Sequence, residues 1–259
     1  MAAIDPGVVA TPHDSRPRPA DFRALTSLAV PVVSVQLGLM AMGVADTMIV
    51  GRVSAVGLAG VAVGSVYAWT LAGFGMGLLM ALDPLVSQAV GAGDEPAVAR
   101  ALQRGLLLAT GLGVIVALSL LPVAPVLRAL GQPETIVAVA APYVRVQAPS
   151  MLAFLLFVAL RQTLQALRHL RPIVITIAAA NVLNGVLAWA LVFGRLGAPR
   201  LAAVGAGLAT GIARGFMLAL LAVLAWGDLR PRLAWRSDTL RARPILRMIR
   251  IGLPIGLQY

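Results

Sequence analysis

The chain contains no cysteine, which removes disulfides, thiolate metal sites and cysteine nucleophiles from consideration. It contains no lysine either, so all 21 basic residues are arginine, a usage better explained by genome composition than by function. Histidine is nearly absent. His13 lies in a polar N-terminal stretch and His169 in a basic connection, and neither has a second soft ligand at helical spacing, so no metal centre is expected. Charged residues make up only 12% of the chain, against about 25% in an ordinary soluble domain.

What fills the space is apolar: 59% of the 259 residues are hydrophobic and the mean hydropathy is +0.90. Apolar stretches of roughly 20 residues recur, each long enough to cross a hydrocarbon core. The expected spans are 24–50, 56–82, 101–121, 136–160, 172–193 and 202–226. The third is expected to run on to about Leu127 past Pro122 and Pro125. The fold class is therefore all-α: a polytopic helical membrane protein with a six-helix transmembrane bundle and the first turns of a seventh helix. Residues 1–21, polar, rich in proline and without an apolar core, read as a disordered cytoplasmic tail rather than a signal peptide. The lobe occupies 22–226, a basic cytoplasmic linker 227–249, and residues 250–259 begin a second, truncated lobe.

Net charge is +11. In a membrane chain this points to basic loops that meet anionic lipid head groups, not to nucleic acid. Between spans, the odd-numbered connections hold only Arg52, Arg128, Arg195 and Arg200, while Arg145 and Arg214 fall inside spans. Every other arginine lies in the N-terminal tail or an even-numbered connection or within about one turn of one, which orients the N-terminus and the basic linker to the cytoplasm. Gly60-xxx-Gly64, Gly207-xxx-Gly211 and Gly211-xxx-Gly215 mark close helix contacts. Leu28-Ala29-Val30-Pro31 opens the first span and Ile251-Gly252-Leu253-Pro254 opens the expected seventh, the pattern of an internal repeat related by an axis along the membrane normal.

Inside the first span sits a single acid, Asp46, within Val44-Ala45-Asp46-Thr47-Met48. An ionisable residue there costs a few kcal/mol to insert and calls for a reason: a proton or cation relay, a substrate contact or an ion pair. Counting from the outer ends, Asp46 lies about 6 Å deep and Asn184, in the fifth span, about 13 Å deep. An ion pair with Arg145, also in the outer half, is the competing reading for Asp46. An interhelical hydrogen bond is the competing reading for Asn184. Thr210 adds an oxygen or bonds its own helix. Pro31 interrupts the first helix, and Asp83, beside Pro84 at the cytoplasmic end of span two, reads as structural or gating. Arg214, near mid-membrane, has no assigned role. No P-loop, metal-binding acid pair or Ser/His pair occurs inside the spans, which argues against an intramembrane enzyme.

Several pieces in order carry a resemblance. They are Pro31 with Ala45-Asp46-Thr47; the run from Gly77 to Ala89 containing Leu82-Asp83-Pro84, followed by Gly91-Ala92-Gly93; Tyr143-Val144-Arg145; Ala159-Leu160-Arg161-Gln162; Asn181-Val182-Leu183-Asn184; and Gly205-Ala206-Gly207-Leu208-Ala209-Thr210. Over about residues 22–226 the chain resembles the multidrug and toxic compound extrusion (MATE) family of cation-coupled efflux transporters. The resemblance implies two six-helix lobes around a central cavity, with amphipathic or cationic small molecules exchanged for protons or sodium ions. It implies no cofactor beyond that coupling ion. It places Asp46 and Asn184 in a polar site of the N-terminal lobe and gives Pro31 a role in helix bending. Relatives carry a second acid or amide one turn beyond Asn184, where this chain has Ala188, which weakens the case for a complete sodium cage. Tyr67, Trp69 and Phe74 are candidate cavity walls. The missing lobe is expected in cis or from a second copy, in a bacterial-type inner membrane. The rival readings are a lipid-linked-precursor flippase of the same superfamily and a non-transporting fragment.

Overall fold

The computed structural model describes residues 19–234 and 242–258, with side chains over 33–234 and 244–258. The expected disordered tail, with His13, Arg16 and Arg18, lies outside the described residues except for 19–21, which are helical, and so does the middle of the basic linker, 235–241.

All regular elements among the described residues are helices. They are α1 (Pro19–Gly51), α2 (Ala55–Leu79), α3 (Leu82–Gly91), α4 (Glu95–Leu120), α5 (Val123–Ala129), α6 (Glu134–Gln147), α7 (Ser150–Ala166), α8 (Leu170–Phe193), α9 (Ala202–Leu224), α10 (Trp226–Leu233) and α11 (Ala242–Gly256). Five stretches are long and apolar enough to cross a membrane, and the bent pair α6–α7 makes a sixth. The expected linker is helical at both ends, as α10 and the start of α11.

Three breaks between helices have the same cause. A proline cannot donate to the carbonyl four residues back. At Pro84, Pro122 and Pro149 the preceding residue takes that carbonyl instead: Asp83 N–H donates to Met80 (3.2 Å), Leu121 to Leu118 (3.2 Å) and Ala148 to Arg145 (3.1 Å). These tighter turns separate α2 from α3, end α4 before the short α5, and split the fourth span into α6 and α7, which meet at 56°. The third span therefore does not run straight to Leu127. By contrast α1 continues through Pro31 as one helix.

Caps define the loop ends. Ser54 Oγ accepts from Gly57 N–H ahead of α2, and Asp94 Oδ1 accepts from Ala97 N–H ahead of α4, satisfying donors that the first turn leaves free. Gly194, left-handed at φ 70°, closes α8.

The helices pack chiefly as α8 on α9, α4 on α7, α2 on α6 and α1 on α8, with α6 and α7 both against α9. Small residues permit the closest approaches. A Cβ at Gly64 of α2 would meet the Tyr143 ring and Val144 of α6, and one at Gly207 of α9 would meet the Tyr143 carbonyl. Gly215 faces open space, so the third small-residue motif makes no such contact. α11 lies on α2, where Gly252 and Gly256 meet the Leu78 backbone and side chain.

The chain shows the polarity expected in lipid. On α8 the outward face carries Ile175, Val182, Val186 and Trp189, while the buried face carries Thr176, Asn184 and Ala188. Apolar side chains face out, and the polar ones are inside, where neighbours can satisfy them.

Candidate functional site

Three buried helical stripes converge on one point. On α1 the buried positions are Val35, Leu39, Met42, Asp46 and Val50, spaced three or four apart as one helix face requires. On α8 they include Ile177, Ala180, Asn184 and Ala188, and on α9 Ala203, Thr210, Arg214, Met217 and Leu221. The packing of α1 on α8 and of α8 on α9 therefore brings Asp46, Asn184 and Thr210 together, although they are far apart in sequence. Asn181, one turn before Asn184, fixes the register: its amide donates to the Gly38 carbonyl of α1 at 2.9 Å.

Asp46 is 1% exposed. Thr210 Oγ1 donates to its Oδ2 at 2.5 Å. Asn184 Nδ2 donates to Thr210 Oγ1 at 3.0 Å and faces Asp46 Oδ1 at 3.4 Å. The other amide atom, Asn184 Oδ1, is buried without a hydrogen-bond partner. An unpaired acceptor beside a buried carboxylate is costly, and a proton-bearing or cationic species arriving there would relieve it.

A cavity of about 20 Å³ adjoins this cluster, room for about one water molecule. Asp46, Thr210, Tyr143, Gln147, Ser65, Trp69, Phe154 and Arg214 are among its lining residues. Tyr143 OH and Ser65 Oγ share a hydrogen bond at 3.0 Å. Arg214 is 5% exposed; its guanidinium lies 5.1 Å from the Phe154 ring centroid, and Phe154 in turn meets Trp69 edge-on at 6.0 Å.

A second space also borders Trp69. This groove of about 680 Å³ runs between α1 and α2 and is lined by Gln36, Met40, Thr47, Met48, Val66 and Thr70 among others, with no charged residue. Leu39, Gly43, Ser65 and Trp69 border both spaces.

The competing reading, an Asp46–Arg145 ion pair, does not fit this geometry. Arg145 is exposed, and its Nε donates to the Leu121 carbonyl at 3.1 Å. It lies two residues from the inward-facing Tyr143, about 200° around the helix, and so points away. The cation that shares the cavity is Arg214. Sequence reasoning left it unassigned, yet Thr210 and Arg214 are four apart on α9 and must share a face, so placing Thr210 in the site places Arg214 there too. Asp83 sits half-buried in the first turn of α3, favourably placed at a helix N-terminus, and does not line the Asp46 cavity. Pro31 lies within α1, and its side chain is outside the described residues. Of the three expected wall aromatics only Trp69 lines the groove. Tyr67 donates to the Ser119 carbonyl at 2.8 Å and lines a separate pocket with Leu127 and Leu130, while Phe74 contacts Gly256 of α11.

Comparison with known proteins places the chain in a family. Residues 31–190 match the family model MatE. The chain is 37% identical over 244 residues to a probable multidrug resistance protein NorM of Bradyrhizobium diazoefficiens, covering 91% of this chain and 51% of that one. It is 31% identical over 235 residues to multidrug resistance protein NorM of Vibrio cholerae, covering 90% and 51%. Its fold matches the crystal structure of the eukaryotic MATE transporter AtDTX14 at a TM-score of 0.80 and 21% identity, over 91% of this chain and 52% of that one. The chain thus spans about half the length of the relatives it matches. With the family model covering more than half of the sequence and a 37% identical relative matching 91% of it, this chain belongs to the MATE family of multi-pass membrane transporters.

Proposed function

We propose that the chain is the N-terminal lobe of a multidrug exporter that exchanges amphipathic or cationic small molecules for protons or sodium ions, with Asp46, Thr210 and Asn184 as the coupling site. The observation that carries this reading is the buried carboxylate with an open acceptor, Asn184 Oδ1, beside it. Two relatives are named multidrug resistance proteins, which supports the substrate class. The groove between α1 and α2 supplies apolar, methionine-rich and aromatic walls suited to such ligands. A lipid-linked precursor with a polyanionic head would need cationic walls, and the groove offers none.

The partition supports a division of labour. Drug would bind on the groove side of Leu39, Gly43, Ser65 and Trp69, and the coupling ion on the Asp46 side. Either occupant then alters the packing of the same four residues, so each changes the affinity for the other, as an exchanger requires. The surrounding membrane would be a bacterial-type inner membrane with the N-terminus cytoplasmic, as the arginine distribution favours. A second lobe, in the same polypeptide or from a second copy, would complete the central cavity.

The test is ethidium accumulation in a pump-deficient bacterial host expressing this chain joined to a second lobe. The expected outcome is lowered accumulation that returns when the ion gradients are collapsed. Accumulation indifferent to the protein would refute the reading.

A further inference from the structure

Arg214 is a buried cation without a strong partner of its own. Its Nη1 reaches Ser150 Oγ at 3.4 Å and Met151 Sδ at 3.8 Å, and its guanidinium rests over Phe154. No carboxylate lies within 4.0 Å of it among the described residues. A guanidinium has five donors and an obligatory charge, and these neighbours are too weak to justify burying it for packing alone. The one anion lining the same cavity is Asp46. Held over an aromatic face and not in direct contact, Arg214 compensates the Asp46 charge at a distance while leaving both carboxylate oxygens to Thr210 and Asn184.

We propose that Arg214 sets the ion selectivity of the Asp46 site, acting as a fixed internal cation that keeps sodium out and leaves the site to protons. This rests on the reading of Asp46 as the coupling site. A hard metal cation needs several oxygen ligands at once. Here most of the oxygens are already engaged: Thr210 Oγ1 donates to Asp46 Oδ2, Tyr143 OH and Ser65 Oγ bond each other, and the position one turn beyond Asn184 is the buried Ala188, which adds none to the open Asn184 Oδ1. A sodium ion would enter a cavity of about 20 Å³ already facing a guanidinium, and in so poorly solvated a place the repulsion is little screened. A proton meets neither obstacle. It forms a covalent O–H bond on one Asp46 oxygen, needs no cage, and offers a donor to the open amide oxygen of Asn184.

The experiment is equilibrium binding of radioactive sodium to the purified 259-residue chain in lipid nanodiscs, at alkaline pH, with monodispersity checked by size exclusion. The wild type is expected to show no saturable sodium binding. Arg214→Gln, which removes the charge and adds an oxygen, should bind sodium saturably. Arg214→Lys keeps the charge and should remain blind to sodium, which separates charge from shape. Saturable binding by the wild type that Asp46→Asn abolishes would overturn the proposal, as would a folded Arg214→Gln protein that stays blind to sodium. If Arg214→Gln does not fold, the wild type and Arg214→Lys decide: saturable binding by either overturns the proposal, and none by both supports it. Sodium binding by Arg214→Gln that survives the added Asp46→Asn change would instead sink the reading of Asp46 as the ion site.

Discussion

Asp46 is held by neutral donors, and that makes its neighbours individually testable. Thr210→Val keeps the shape but removes the hydroxyl that donates to Asp46 Oδ2, leaving a buried carboxylate short of one donor. The cost should be about 1–3 kcal/mol, read as a lower unfolding temperature in detergent, and absence of any shift would count against the hydrogen bond. Arg145→Ala should behave oppositely, because its side chain is exposed and, among the described residues, bonds the Leu121 carbonyl alone. Stability should stay within about 0.5 kcal/mol of wild type, and abundance should be normal. A large loss would restore the ion pair with Asp46 that the geometry rejects.

Legibility at this scale was uneven for a physical reason. Asp46, Asn184 and Thr210 stood out because polar groups inside apolar spans are few and expensive. Their partners do not follow from the sequence: depth in the membrane makes Arg145 a candidate ion-pair partner for Asp46, and depth ignores the direction a side chain takes around its helix. Phase would have chosen Arg214. The open acceptor on Asn184 and the Trp69–Phe154 contact depend on how four helices dock, which no single span encodes.

At the scale of elements, prolines and glycines decide the architecture. The six apolar runs are visible from composition, but the breaks at Pro122 and Pro149 are not, since a proline can bend, end or merely decorate a helix, and only the carbonyl left behind tells which. The glycine motifs were legible as contacts in general and not one by one. Gly207 and Gly215 belong to the same helix and make the contrast. A methyl group at Gly207 would press on the Tyr143 carbonyl, so Gly207→Ala should destabilise by about 1–3 kcal/mol. Gly215 has nothing within 4 Å, so Gly215→Ala should be neutral or stabilise by up to about 1 kcal/mol through reduced chain entropy. Thermal unfolding of the two variants side by side checks the pair, and equal effects would mean that α9 does not approach α6 as described.

For the whole molecule, orientation and coupling remain to be measured. The absence of cysteine makes orientation direct. Leu196→Cys, 77% exposed in the connection after α8, should react with an impermeant thiol reagent added to intact cells. His169→Cys, in the preceding connection, should react only after permeabilisation. The reverse pattern would invert the topology. The apolar groove and the half-length match to relatives lead to the expectation that this chain alone leaves ethidium accumulation unchanged in a pump-deficient host. Ion-dependent export by the chain alone would show that two copies suffice.

The central claim is that drug movement is coupled to an ion taken up at Asp46. Asparagine in its place keeps the size and removes the charge and the titration an exchanger needs. The decisive measurement is ethidium efflux by a two-lobe protein carrying this lobe, wild type against Asp46→Asn, normalised to the amount of protein in the membrane. The account predicts near-normal abundance and loss of gradient-driven efflux; efflux at the wild-type rate from the Asp46→Asn protein would contradict it.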